Sequence, residues 1–149
     1  MKPFEKILTA IDFSENSELA FEYAVTMAKQ FDAELIVMHV INEPVDLRGF
    51  YVPHISFEQL EKEIEEGAAK MMENFCSSRL ESFRNYTTAI VSGIPYDEII
   101  RKADEVGASL IVLGTHGRTG LDHILFGSTA ERVVRSANCP VMTIRLPNA

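Results

Sequence analysis

The sequence has only two cysteines and no long apolar segment, and these features restrict the classes of protein to which it can belong. Cys76 and Cys139 are its only cysteines, and they form neither a CxxC pair nor a cluster of metal ligands. We therefore expect two reduced thiols in a cytoplasmic protein. Glu5, Lys6 and Asp12 interrupt the N-terminal segment, so it lacks the apolar core of a signal peptide. No stretch approaches the roughly 20 apolar residues that span a bilayer, and we expect no membrane partner.

Positive charge is also scarce. The chain has 14 lysines and arginines against 22 aspartates and glutamates, a formal net charge of −8. Nucleic-acid-binding surfaces depend on clustered lysine and arginine, so this balance argues against a nucleic-acid partner while allowing a local anion pocket. With 149 residues and 46% hydrophobic content, we expect a single domain over residues 1–149.

Two familiar phosphate-binding motifs are missing. The pattern GxxxxGK[ST] occurs nowhere, which excludes a P-loop NTPase. The pattern GxGxxG does not follow the first predicted strand, because "AIDFSENSE" contains no glycine, and this argues against a dinucleotide-binding fold.

Five apolar runs separated by helical patterns make up most of the chain. Four of the runs are almost continuously apolar, as expected for parallel strands covered on both faces. These are 6–11, 34–40, 109–114 and 140–145, and a fifth, 86–93, alternates more and is expected at an edge. Helical patterns begin near Ser14, Ser56, Pro95 and Ser128. This order predicts an α/β fold, an open doubly wound five-stranded parallel sheet with helices on both faces.

The one long connection covers residues 42–55 and is punctuated by Pro44, Gly49 and Pro53. Loops of this length are usually functional or mobile, so it is a candidate flap. A variable surface excursion explains the same composition.

Four of the eight glycines fall between Gly114 and Thr129, from the end of the fourth strand to the start of the fourth helix. Ligands of doubly wound folds bind beyond the carboxyl ends of strands, and helix N-termini favour phosphate. Glycine at 114, 117 and 127 would let the backbone approach a ligand closely, and Ser128 and Thr129 add hydroxyl groups. The segment therefore predicts a site where main-chain amides hold a phosphate chain.

Two of the polar residues near this segment have a simpler interpretation. Ser128 has capping-box spacing to Glu131 and could be only the N-cap of the fourth helix. Asp12 could simply begin the first helix together with Ser14.

The histidines give no strong metal signal. His116 and His123 have no accompanying cysteine or carboxylate constellation, so we expect no zinc site. His39 lies in an apolar strand and is expected to be a hydrogen-bonded histidine of the core or its rim.

Three segments together carry a family resemblance. They are "KILTAIDFSENSELAFEYA" (6–24), "ELIVMHV" (34–40) and "ADEVGASLIVLGTHGRTGLDHILFGSTAERVVRSANCPVMTIR" (103–145). In these three segments the chain resembles the universal stress proteins. It resembles their ATP-binding subgroup in the pattern Gly114-x2-Gly117-x9-Gly127-Ser128. The resemblance implies the strand order 3-2-1-4-5, which brings the ends of the first and fourth strands together.

The same resemblance implies a site for ATP with Mg²⁺. Asp12 would contact the nucleoside, and the main chain of Val40 would contact adenine. Arg118 would neutralise phosphate charge, or is an exposed loop residue. The phosphates and ribose would be bound by Gly114, Gly117, Gly127, Ser128 and Thr129. Some ATP-binding relatives carry proline where this chain has Ala10.

The function implied is that of a cytoplasmic ATP-binding regulatory protein of the stress response. Asp12 is the only carboxylate expected near the site and no Walker lysine exists, so hydrolysis should be slow or absent. The alternative is an adenine-nucleotide-hydrolysing or AMP-transferring enzyme of a related fold, although "DFSENSE" lacks the glycine-rich loop such enzymes place there. A phospho-receiver is a poor match, because Asp12 stands alone and the last strand, "PVMTIR", has no lysine.

The last strand also suggests a homodimer. The resemblance places "CPVMTIRLP" at the sheet edge, where unpaired main-chain groups favour association. Arg145 is the only charge beside its apolar residues, Val141, Met142 and Ile144. Pairing with a second copy under two-fold symmetry would satisfy both edges. The alternative is a monomer whose edge is shielded by Pro140 and Pro147.

Overall fold

The computed structural model describes residues 4–42, 57–116 and 126–147. Strands and helices alternate throughout these residues, as the apolar pattern predicted. In chain order they are β1 (Lys6–Ala10), α1 (Glu15–Phe31), β2 (Glu34–Ile41), α2 (Phe57–Arg79), β3 (Tyr86–Ser92), α3 (Pro95–Val106), β4 (Leu110–Gly114), α4 (Ser128–Ser136) and β5 (Val141–Ile144). Most of the connection 42–55 and the predicted helix start at Ser56 lie outside the described residues.

The five strands form one parallel sheet in the order β3-β2-β1-β4-β5. Leu8 of β1 is aligned with Ile36 of β2 on one side and with Ile111 of β4 on the other. The predicted strand order is therefore confirmed, and so is the edge position of β3. The carboxyl ends of β1 and β4 lie side by side at the centre of the sheet.

Helices cover both faces of the sheet, which explains why its strands are continuously apolar. Ile7 belongs to the core beneath α1 and α2, whereas Leu8 belongs to the core beneath α3 and α4. Both side chains are fully buried, because successive residues of a strand point to opposite faces. No helix in the part of the chain that the structure describes is long and apolar enough to span a bilayer.

Helix α1 packs on the sheet through small residues. Ala20, Ala24 and Ala28 are buried in a row along this helix, and Phe21 is buried beside them. Tyr23, on the neighbouring row, is 50% exposed. Alanines let the helix axis approach the sheet closely, so the start of α1 lies against the carboxyl ends of β4 and β5.

Candidate functional site

A cavity of about 460 Å³ opens at the carboxyl ends of β1 and β4. Its volume falls within the range of roughly 300–1,000 Å³ that is typical of small-molecule sites. Six predicted site residues line it: Asp12, Val40, Gly114, Gly127, Ser128 and Thr129. The other two predicted residues, Gly117 and Arg118, lie outside the described residues.

One wall of the cavity is apolar. It is formed by side chains of β1, β2 and β4 together with the first turns of α3: Ala10, Val40, Leu113, Pro95 and Ile99. The contribution of α3 was missed by sequence reasoning, because the pattern of that helix shows an apolar face without showing what it faces. Such a wall suits a flat apolar group.

The N-terminus of α4 also lines the cavity, through Gly127, Ser128 and Thr129. Gly127 is the N-cap of this helix, with φ −71° and ψ 161°, and no side chain caps it. The prediction that Ser128 is the N-cap is therefore wrong, and Glu131 is the fourth residue of the helix. There its carboxylate pairs with Arg135 at 3.0 Å instead of reaching back to the helix start. The first N–H groups of a helix have no partner within it, so this end can bind an anion.

Gly127 also closes the base of the glycine-rich segment. Its N–H donates to the carbonyl oxygen of Thr115 at 2.6 Å. The two ends of the segment are thereby held together beside the cavity. The Gly127 amide is engaged in this bond and is not available to donate to a ligand.

Asp12 both lines the cavity and organises the start of α1. Its Oδ1 accepts the N–H of Ser14 at 3.0 Å, and its own N–H donates to the hydroxyl of Ser17 at 3.3 Å. Ser14 is the N-cap of α1 and accepts the N–H of Ser17. The simpler interpretation of Asp12 is thus confirmed, and its position in the cavity is compatible with a second role.

The turn after Asp12 has a conformation that the sequence did not indicate. Phe13 has φ +66°, a left-handed backbone that is uncommon for an aromatic residue. Its ring packs against His39 at 4.8 Å and against Phe75 at 5.9 Å between centroids. His39 is buried, and its Nδ1 lies 2.7 Å from the carbonyl oxygen of Ile11. That oxygen can only accept, so Nδ1 carries a proton, and the prediction of a hydrogen-bonded histidine is confirmed.

A buried amide joins three elements at the rim of the cavity. Asn16, in the first turn of α1, is 4% exposed. Its Oδ1 accepts the N–H of His116 at 2.7 Å, and its Nδ2 donates to the carbonyl oxygen of Ile144 at 3.2 Å. Sequence reasoning missed Asn16. The available signal was its place at the head of the row that continues through Ala20 and Ala24.

The charge of the cavity is low and slightly negative. Among the described residues that line it, Asp12 is the only carboxylate and there is no lysine or arginine. His116 lies at the rim, with its Nδ1 3.0 Å from the hydroxyl of Thr115. Within the described ranges, no group of three histidine, cysteine or acidic side chains could hold a metal ion, and His123 lies outside those ranges. A highly charged anion would therefore need a cation from elsewhere.

A larger groove of about 920 Å³ runs between α2 and β3, but it is a poorer candidate. It follows the sheet edge, away from the carboxyl ends of the central strands. Cys76 at its floor is buried, and this burial raises the pKa of the thiol to about 11. Burial and the nearby Asp104 carboxylate also raise the pKa of Cys139. Both cysteines are free thiols, as expected, and neither is activated.

Solved structures share this architecture. A structure of protein MJ0577 matches with a TM-score of 0.83 and 32% identity, covering 98% of this chain and 99% of that chain. Two more distant universal stress proteins match with TM-scores of 0.62 and 0.57 at 21% and 24% identity. The first is a complex with cAMP, and the second, from Archaeoglobus fulgidus, is a complex with dAMP. At that identity the likeness shows the shared fold alone.

Sequence comparison gives the same relationship. Universal stress protein YxiE of Bacillus subtilis is 36% identical over 147 residues, covering 95% of this chain and 99% of the relative. Universal stress protein MJ0577 of Methanocaldococcus jannaschii is 31% identical over 158 residues, covering 98% of each chain. The model of the universal stress protein family matches residues 3–145. The chain therefore belongs to the universal stress protein family.

Proposed function

We propose that this protein is an ATP-binding regulatory protein of the stress response and that it binds ATP with Mg²⁺ in the cavity at the ends of β1 and β4. The observation that carries the proposal is that one cavity combines an apolar wall with a helix N-terminus that no side chain caps. An adenine nucleotide has the same two parts, a flat apolar base and an anionic chain. We infer a cytoplasmic location and a single domain over residues 1–149.

The cavity orients the nucleotide. Adenine fits the apolar wall, where Ala10 leaves more room than a proline would and Val40 offers its main chain. Asp12 suits the nucleoside, because a carboxylate accepts ribose hydroxyl groups but repels phosphate. The phosphates then lie toward the N-terminus of α4, beside Ser128 and Thr129. We assign Gly117 and Arg118 to the same end, from their positions in the glycine-rich segment.

Charge explains why we propose Mg²⁺ as well. The described residues that line the cavity include no lysine or arginine. The dipole of α4 amounts to about half a charge, which cannot balance a triphosphate. Mg²⁺ binds ATP chiefly through phosphate oxygens and waters, so it needs no dedicated set of protein ligands.

We propose binding rather than rapid turnover. Asp12, the only carboxylate of the described cavity lining, already accepts a hydrogen bond from the Ser14 amide. In this position Asp12 organises the start of α1, and the described part of the cavity offers no second carboxylate to activate water. A regulatory protein needs its nucleotide to stay bound rather than to be hydrolysed rapidly. Its surface would then differ between the nucleotide-bound and the nucleotide-free state.

We also propose a homodimer that pairs β5 with its copy. This strand is the sheet edge opposite β3, and all four of its residues are partly exposed. The Pro140 carbonyl accepts the N–H of Ile111 in β4, and the Ile144 carbonyl accepts the N–H of Thr115, directly after β4. In a parallel ladder the intervening residues, Val141 and Thr143, direct their main-chain groups to the free edge. Those groups are available to a second copy.

Calorimetry on two glycine variants tests the ATP site. Gly117→Val should weaken ATP binding at least tenfold, because a β-branched side chain blocks close backbone approach. Gly67→Val is the matched control, since the space around Gly67 in α2 is open. It should bind ATP as the wild type does. Unchanged ATP affinity in a folded Gly117→Val protein would contradict the assignment of the segment.

A further inference from the structure

We propose that Asn16 is a positioning residue for the nucleotide site, which holds the main chain at His116, where the chain leaves β4. This inference rests on the proposed function. It concerns the phosphate end of the site, and Asn16 itself is not among the residues that line the cavity.

Both polar atoms of the Asn16 side-chain amide form hydrogen bonds to the main chain. Oδ1 accepts the His116 N–H at 2.7 Å, and Nδ2 donates to the Ile144 carbonyl at 3.2 Å. The partners lie 100 and 128 residues away in sequence, so the side chain connects α1 to the ends of β4 and β5. A buried amide satisfied at both ends fixes its neighbours strongly, because any displacement leaves a polar group unpaired.

The hydrogen bond to His116 lies at the point where the segment departs from the sheet. The preceding residue, Thr115, still follows the ladder, with its N–H donating to Ile144 at 2.9 Å. The Thr115 carbonyl then accepts the Gly127 N–H, which closes the base of the segment. The His116 N–H is the next main-chain group, and it bonds a side chain instead of a strand. Asn16 therefore controls the first step of the chain away from β4.

The Asn16 amide packs directly against Gly114, which restricts its position. A Cβ on Gly114 would stand 3.1 Å from the main-chain oxygen of Asn16 and would overlap its side-chain amide. The amide thus occupies the space above Gly114 and cannot move toward the strand.

Replacing Asn16 should affect the binding of the phosphates but not the binding of the base. Within the apolar wall, Val40, Ile99 and Leu113 belong to the core beneath α3 and α4, and Asn16 is not part of that core. In Asn16→Ala the segment loses one anchor at its base, which should weaken ATP binding roughly 5- to 20-fold, the value of one or two hydrogen bonds. Adenosine, which has no phosphates, should bind with less than about a twofold change.

The matched control is Ser109→Ala at the opposite end of β4. The Ser109 hydroxyl accepts the Lys6 N–H at 3.0 Å and donates to the Lys6 carbonyl at 2.9 Å. This variant also loses two hydrogen bonds, here between β1 and the residue that precedes β4, and they lie far from the cavity. Both ATP and adenosine should bind to it as they bind to the wild type.

The experiment measures ATP and adenosine affinities of the wild type, Asn16→Ala and Ser109→Ala by calorimetry, together with amide hydrogen exchange. We expect faster exchange of the His116 amide in Asn16→Ala and unchanged exchange of the Ile111 amide, which donates to Pro140. If Asn16→Ala does not fold, Asn16→Ser replaces it with the same expectation. Equal ATP affinity in the Asn16 and Ser109 variants, or equal loss of ATP and adenosine binding, overturns the positioning role alone. Failure of the wild type to bind ATP overturns the proposed function as well.

Discussion

Gly114 has no side chain because the amide of Asn16 fills the position where a Cβ would stand. A Cβ built on Gly114 would lie 2.8 Å from Asn16 Cγ, closer than real contacts allow. Sequence reasoning attributed this glycine to close approach of a ligand. The contact with Asn16 requires glycine even when the cavity is empty, so the residue has a structural reason that is independent of binding.

This contact predicts that Gly114→Ala destabilises the protein. The added methyl group must displace Asn16 or the main chain of α1, which should cost about 1–3 kcal/mol of unfolding free energy. Gly67→Ala is the control, because it lies in α2 with open space around it and should stabilise by about 0.5–1 kcal/mol. Urea denaturation measures both. A Gly114→Ala protein as stable as the wild type would show that Asn16 moves aside at no cost.

Turnover should be slow. With Asp12 engaged by the start of α1, steady-state phosphate release at saturating ATP and Mg²⁺ should fall far below the typical enzyme median of about 10 per second. Asp12→Asn should change nucleoside affinity more than it changes this low rate. Release near the median that disappears in Asp12→Asn would support the alternative, an adenine-nucleotide-hydrolysing enzyme.

The dimer through β5 predicts a specific effect of proline at Thr143. The main-chain N–H of this residue faces the free edge, so Thr143→Pro removes no hydrogen bond to β4 but blocks pairing with a second copy. Light scattering should give twice the 16.7 kDa chain mass for the wild type and the single mass for Thr143→Pro. A wild-type mass of 16.7 kDa at micromolar concentration is incompatible with the dimer.

The buried thiol of Cys76 predicts a loss of stability in alkali. Burial raises its pKa from 9.0 to about 11, so the folded protein holds the neutral thiol while the unfolded chain releases the proton. The resulting stability is complete below pH 9 and decreases as the pH rises through 11. Unfolding free energies at pH 8 and pH 10.5 measure the effect, and in Cys76→Ala this part of the decrease should be absent. An equal decrease in both proteins would assign it to other groups.

The fold could be predicted from the sequence because its signals are local. Continuous apolar runs such as 34–40 are typical of strands that are covered on both faces. Because a helical pattern separates each run from the next, the sequence predicts a parallel sheet. The strand order came from the family resemblance. The end of α3 at Gly107, with φ +69°, also follows from local chemistry.

The finer features of the site depend on contacts between distant residues. Asn16 bonds His116 and Ile144, and no local pattern marks such a bond. Ser128 matches a capping box, but the closure between Thr115 and Gly127 places the cap one residue earlier.

Titration of the ¹⁵N-labelled protein with ATP and Mg²⁺, followed through its amide resonances, tests the central claim most directly. Saturable shifts should appear at Asp12, Gly114, Ser128 and Thr129, which line the cavity. Ala69 and Thr88, in the groove between α2 and β3, should not shift. GTP at the same concentration should produce smaller changes, because its base presents different polar groups to the apolar wall. The absence of saturable shifts with ATP, or shifts confined to Ala69 and Thr88, would contradict an ATP site at the ends of β1 and β4.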